Sequence, residues 1–166
     1  MIINMKKDIK ITWFLWSAVL LFDQITKYII REKLNLGDSI SVIHNIFHIT
    51  HINNTGAAFG MFPNAQIFFI VTSIIAIIAL IYFLYTFKKE NPTFYISIGL
   101  ILGGATGNLL DRLILRTVTD FLDFGINPKI RWPAFNIADS SVVIGFFILA
   151  ILVMKGEFYK VNRNRS

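Results

Sequence analysis

The sequence contains no cysteine. Disulfides, thiolate nucleophiles and cysteine-ligated metals are excluded together. Charge is scarce as well. Asp, Glu, Lys and Arg make up 16% of the 166 residues, where a soluble domain carries about 25%. Much of the surface must therefore face something other than water. No glycine-rich phosphate loop is present, because Gly103-Gly104 falls inside an apolar run. No A-x-A cleavage pattern follows the first apolar run, so that run reads as an uncleaved anchor rather than a removed leader.

What the chain does have is long apolar runs. Hydrophobic residues reach 55%, and phenylalanine alone occurs 16 times. A bilayer crossing needs about 20 residues. Four segments meet that length, at approximately 11–31, 67–87, 94–114 and 137–155. The expectation is one integral membrane domain over residues 1–166, with two longer segments between spans at approximately 32–66 and 115–136. The first of these alternates Ile, Val and Phe with polar residues and carries the turn signal Asn53-Asn54-Thr55-Gly56, so it reads as short strands or a small sheet. The second, with Gly125, Asn127-Pro128 and Trp132-Pro133, reads as a loop with turns. The predicted fold is an all-α bundle of four transmembrane helices with a small extracytoplasmic β-rich cradle.

The formal charge of +6 is a topology signal. Lys6, Lys7 and Lys10 precede span 1, Lys88 and Lys89 join spans 2 and 3, and Lys155, Lys160, Arg163 and Arg165 follow span 4. Four spans put these three segments on one side, which the positive-inside rule makes cytoplasmic. The remainder of the chain is balanced in charge, so no nucleic-acid footprint remains. Both termini are expected in the cytoplasm, and segments 32–66 and 115–136 outside.

With that orientation, the ionisable residues in or beside the spans gather at one level, near the outer face. Asp23 and Lys27 lie in the outer half of span 1; Asn108, Asp111 and Arg112 end span 3; Asn136 and Asp139 open span 4. Charge in lipid costs several kcal/mol unless it is paired or wetted, so such residues are functional candidates. Asp23 with Lys27, and Asn108 with Arg112, have the i,i+4 spacing of facing pairs; Asn136 and Asp139 are i,i+3. The plainer reading is that these pairs hold the bundle together. Asp120 and Asp139 have no evident basic partner nearby. Two carboxylates that share a site cannot both ionise easily, which supplies a general acid and a general base together. The plainer reading here is that Asp139 caps span 4 and Asp120 is an ordinary loop residue.

Other constellations are weaker. His44, His48 and His51 lack ligand spacing in an extended segment, so no metal site is expected. Lys27 with Ser140 or Ser141 lacks the S-x-x-K arrangement of a Ser–Lys hydrolase. A solute carrier would place its polar groups near the bilayer midplane. A non-catalytic lipid-binding or assembly subunit is the remaining rival. Gly99, Gly103 and Gly107 form two overlapping G-x-x-x-G steps, a device for close helix approach.

Five blocks, taken together, resemble the bacterial lipoprotein signal peptidases (signal peptidase II). They are Phe22-Asp23-Gln24-Ile25-Thr26-Lys27, Asn54-Thr55-Gly56-Ala57-Ala58-Phe59-Gly60, Gly107-Asn108-Leu109-Leu110-Asp111-Arg112, Thr119-Asp120-Phe121, and Pro133-Ala134-Phe135-Asn136-Ile137-Ala138-Asp139-Ser140. Thr119 departs from the valine expected before the catalytic aspartate. The resemblance implies a cofactor-free, intramembrane aspartyl endopeptidase. It would remove signal peptides from prolipoproteins, cutting on the amino side of the diacylglyceryl-modified lipobox cysteine. It implies Asp120 and Asp139 as the catalytic pair, with Asp23, Lys27, Asn54, Gly56, Asn108, Arg112 and Asn136 shaping the site or contacting substrate. The expected partners are the lipidated substrate and membrane lipid, the expected state a monomer, and the expected place the bacterial cytoplasmic (inner) membrane with the active site near its outer face.

Overall fold

A computed structural model describes residues 2–56, 65–86 and 91–155, without the side chains of residues 2–8. Ala57 to Gly60 of the second block, the join with Lys88 and Lys89, and the basic tail with Lys160, Arg163 and Arg165 lie outside the described residues, as do the side chains of Lys6 and Lys7. Helix α1 runs Ile2–Lys33, strands β1 and β2 follow at Ser39–Ile43 and Phe47–Asn54, and α2 covers Gln66–Thr86. Then come α3 (Pro92–Ile114), β3 (Val118–Asn127), β4 (Ile130–Arg131) and α4 (Ile137–Met154). All four helices are long and apolar enough to cross a membrane.

Local chemistry sets the helix starts. Asn91 caps α3 by accepting the Thr93 N–H at 2.9 Å, and Pro92 occupies the first turn, where its missing N–H costs nothing. At α4 the Asn136 side chain accepts the Asp139 N–H, and the Asp139 carboxylate accepts the Asn136 N–H, a reciprocal capping box. Asn136 is thus the cap and Asp139 the third helical residue, a correction to the reading of Asp139 itself as the cap.

Helix α3 is the hub. α1 and α4 pack along it most extensively, and α2 docks chiefly against it. Its glycines make this possible. A Cβ on Gly99 would sit 2.8 Å from the Thr12 carbonyl oxygen, and one on Gly103 would sit 2.7 Å from Val19 Cβ. The three-glycine stripe therefore receives α1, while Gly104 faces Ala138 of α4. Leu84, Phe94, Tyr95, Ile98, Leu102 and Leu152 form the buried apolar core at the opposite end of the bundle from the polar residues described below. Ile67, Phe68, Ile75 and Ile78 of α2 are exposed, as a lipid-facing helix requires.

The strands form one antiparallel sheet in the order β1-β2-β3-β4. The segment expected to be a loop with turns instead holds β3, because Val118–Phe121 is buried against the bundle and pairs with β2. Turn residues limited the reading: Gly125 and Asn127-Pro128 sit at the β3–β4 end and say nothing about the apolar stretch before them. Phe47, Phe124 and Phe135 stack in sequence, with centroids 4.5 and 5.8 Å apart. Phe135 also exchanges backbone bonds with Leu122: its N–H donates to the Leu122 oxygen at 3.1 Å, and its carbonyl oxygen accepts the Leu122 N–H at 2.8 Å. Those bonds pin the chain immediately before α4 to β3.

Replacing Gly103 by Leu forces α1 off α3. The expected loss is about 1–3 kcal/mol, the usual cost of overpacking. Thermal unfolding in detergent checks it, and an unchanged melting temperature would mean that this face meets only lipid.

Candidate active site

The polar residues at the sheet-facing end of the bundle form one connected network. Lys27 is completely buried. Its ammonium lies 2.9 Å from Asp23, 3.0 Å from Asp111 and 2.8 Å from the Asn108 side-chain oxygen. Three protons meet three acceptors, so the cation is fully satisfied. Asp23 also accepts the Ala138 N–H at 2.9 Å, tying α1 to the start of α4. Asp111 accepts the Thr119 N–H at 3.1 Å, tying α3 to β3. The Gln24 amide lies 3.1 Å from both Asp23 and Asp111.

The expected i,i+4 partnership of Asp23 and Lys27 is present. Asp111 is the partner the sequence reading left out of the site, and Gln24 the second omission. A signal existed for Asp111: it stands i,i+3 from Asn108 and i,i+4 from Gly107, on the face that the glycine stripe turns toward α1. Asn108 and Arg112 are not a side-chain pair. Arg112 donates to the Asn108 backbone oxygen at 3.4 Å and to the Gly56 oxygen at 3.2 Å, and lies over the Phe69 ring of α2.

Asp120 and Asp139 come from different elements, β3 and α4. Asp120 is in a strand rather than a loop. Its register partner is Ile52, so Asn54, two residues further along β2, is its diagonal neighbour. Asn54 donates to Asp120 Oδ2 at 2.9 Å and accepts the Gly56 N–H at 2.9 Å. Asn136 donates to Asp120 Oδ1 at 2.7 Å while its own N–H reaches Asp139 Oδ2 at 3.2 Å. One residue therefore bridges the two carboxylates. Asn108 donates to Asp139 Oδ1 at 2.7 Å. Every carboxylate oxygen of the pair accepts a neutral N–H, and among the described residues neither aspartate is in an ion pair.

Both carboxylates line a cavity of about 730 Å³, together with Asn54, Asn108 and Arg112. Trp132 to Phe135 wall one side, and Ser73, Ala105 and Val142 to Ile144 continue it between the helices as an apolar groove. Asp120 is only 2% exposed. Burial, and then the neighbouring Asp139, push its carboxyl up from the ordinary 3.8 to about 7; the Asn54 and Asn136 bonds and the Lys27 charge pull the other way. A carboxyl poised near neutrality in a cavity is suited to proton transfer.

The Ser140 and Ser141 hydroxyls donate to the Asn136 and Ile137 carbonyls of their own helix, and Lys27 has no proton to spare. His51 bonds the Leu34 oxygen and His48 sits beside Ser39, both in the sheet.

Comparison with known proteins agrees with this architecture. The profile of the family described as Signal peptidase (SPase) II matches residues 15–155. The chain is 42% identical to a lipoprotein signal peptidase of Halothermothrix orenii over 139 residues, covering 84% of this chain and 92% of that protein. It is 44% identical to one from Moorella thermoacetica over 142 residues, covering 84% and 91%. It is 41% identical to one from Staphylococcus aureus over 148 residues, covering 87% and 88%. Two solved structures, both described as bacterial membrane enzymes obtained by the in meso method, superpose with TM-scores of 0.82 and 0.78. The first is 36% identical and covers 93% of this chain and 94% of its own; the second is 39% identical and covers 87% and 92%.

Two outcomes are expected of variants here. Lys27→Met leaves Asp23 and Asp111 buried without counter-charge, which costs about 3–5 kcal/mol; chemical or thermal unfolding in detergent measures it, and wild-type stability would contradict the buried triad. Asp120 holds its proton more tightly folded than unfolded. Its contribution is therefore full below about 3.8 and is lost as pH rises to about 7. Asp120→Asn removes that slope from a plot of melting temperature against pH, and an identical slope in the variant would contradict the shift.

Proposed function

The chain belongs to the signal peptidase II family, membrane proteases that remove signal peptides from prolipoproteins, and from that premise we propose that it cuts on the amino side of a diacylglyceryl-modified lipobox cysteine, using Asp120 and Asp139 to activate water. The observation that carries this reading is the convergence of the buried Asp120 and the half-buried Asp139 on one cavity through the single residue Asn136, with neither in an ion pair among the described residues.

The chemistry follows from the arrangement. One aspartate withdraws a proton from water while the other delivers its proton to the scissile carbonyl oxygen. The tetrahedral diol then collapses, the amine leaves with a proton, and the pair returns to its starting state. Asn54, Asn108 and Asn136 hold the carboxylates in place. Asp23 and Lys27 hold Asn108 and the start of α4. Arg112, fixed by Gly56 and Phe69, stands at the cavity wall. The groove between Ser73, Ala105 and Val142 to Ile144 suits an apolar signal helix entering from lipid.

The reading puts both termini in the cytoplasm and the sheet outside, as the basic residues direct. A diacylglyceryl group then stays in the outer leaflet while its cysteine reaches the dyad. The protein is proposed to act as a monomer and without a metal or other cofactor.

Purified protein in lipid should release the signal peptide from a diacylglyceryl-modified prolipoprotein, and each of Asp120→Asn and Asp139→Asn should lower turnover by at least about a hundredfold while still binding substrate. A folded double variant that still cuts would remove the two-aspartate mechanism. An inactive wild type would bring the carrier and scaffold readings forward.

A further inference from the structure

The hydrogen bonds behind the cavity run in one direction. Lys27 has only donors to offer, and one of them goes to Asn108 Oδ1. With its oxygen engaged, Asn108 presents its amide nitrogen to Asp139 at 2.7 Å. The other Asp139 oxygen accepts the Asn136 N–H in the first turn of α4, an 18-residue helix whose dipole favours negative charge there. The Arg112 guanidinium lines the same cavity as both aspartates and favours an ionised carboxylate there.

Asp120 also feels the Lys27 charge, but without the oriented Asn108 amide and the helix N-terminus that Asp139 has. It lies in a strand, and its two donors are the neutral side-chain amides of Asn54 and Asn136. Of the other charged groups nearby, Arg31 donates to the Thr119 hydroxyl at 3.1 Å rather than to a carboxylate of the pair. Asp23 and Asp111 are both spent on Lys27, and Asp123 is paired with Arg131 at 2.7 Å.

We propose that Lys27, acting through Asn108, is a positioning residue that keeps Asp139 ionised, so that the one proton of the resting dyad sits on Asp120. The value of about 7 at Asp120 is consistent with this. Resting on the proteolytic reading above, the roles then separate. Asp139 takes a proton from water as the water oxygen bonds to the scissile carbonyl carbon. Asp120 gives its proton to the carbonyl oxygen, producing a neutral diol. In collapse, the C–N bond breaks and the nitrogen takes the proton now on Asp139. A diol hydroxyl returns its proton to Asp120. Both aspartates end as they began, and no other reactant is needed.

The test is infrared spectroscopy of the full chain in lipid, with aspartate labelled by carbon-13 at the side-chain carboxyl and the buffer set one unit below the Asp120 value of about 7. The stretch of a protonated carboxyl should be present in wild type, keep its intensity in Asp139→Asn and lose intensity in Asp120→Asn. Cutting the relay in Asn108→Leu/Asp120→Asn should restore a protonated carboxyl, now on Asp139. The assignment is overturned if the band is missing from wild type, if it is lost in Asp139→Asn and kept in Asp120→Asn, or if neither change reduces it. A double variant that folds without the restored band overturns the relay through Asn108. The spectra do not depend on turnover. A wild type that fails to cut lipidated substrate but shows the expected bands would sink the proteolytic reading and leave the proton assignment standing.

Discussion

The structure depends on one buried ammonium. Lys27 is completely buried at bundle depth, so the cost of desolvating its charge must be offset by the groups around it. Its three acceptors come from two helices: Asp23 on its own, Asp111 and Asn108 on α3. Each carboxylate then carries the constraint outward. Asp23 reaches the first turn of α4 through Ala138, and Asp111 reaches β3 through Thr119. Four elements are thus fixed relative to a single nitrogen. The glycine stripe of α3 serves the same end by bringing α1 close enough for these bonds to form.

Around that nitrogen the three asparagines act as oriented connectors. An amide side chain has one accepting and one donating end, and which end faces where is decided by the partner with no choice. Lys27 can only donate, so it takes the oxygen of Asn108. The Asp139 N–H can only donate, so it takes the oxygen of Asn136. The Gly56 N–H does the same to Asn54. All three nitrogens are left to point at carboxylates. The aspartates are therefore held in geometry by neutral groups, which position a carboxylate while leaving it free to titrate. An ion pair at either would fix its charge instead.

Much of this was legible in the sequence, and for identifiable reasons. Four apolar runs and sparse charge declare a membrane bundle, and the polar residues within the runs stand out because lipid tolerates so few of them. Asp23 and Lys27 could be paired because a helix fixes which residues face one another. Contacts between elements were not legible. Helix spacing put Asp111 on the face turned toward α1, but nothing local says that it meets Lys27, or that Gln24 spans both carboxylates. The strand character of β3 was hidden by the turn residues at its far end, and with it the diagonal placement of Asn54 beside Asp120. The plainer alternative put Asp139 at the cap because carboxylates favour the whole first helical turn, and the third helical position accepts one as readily as the cap.

The uneven packing of the four helices also has a consequence for bilayer thickness. α1 and α4 are locked to α3 by glycine contacts and by the Asp23–Ala138 bond, whereas α2 docks chiefly on α3 and meets the core mainly near its far end, at Leu84. When the hydrocarbon layer does not match the length of the spans, tilting costs fractions of a kcal/mol per ångström. That cost falls on the helix with the fewest ties. In thicker or thinner membranes α2 is the element expected to lean, and Ser73 on it lines the groove.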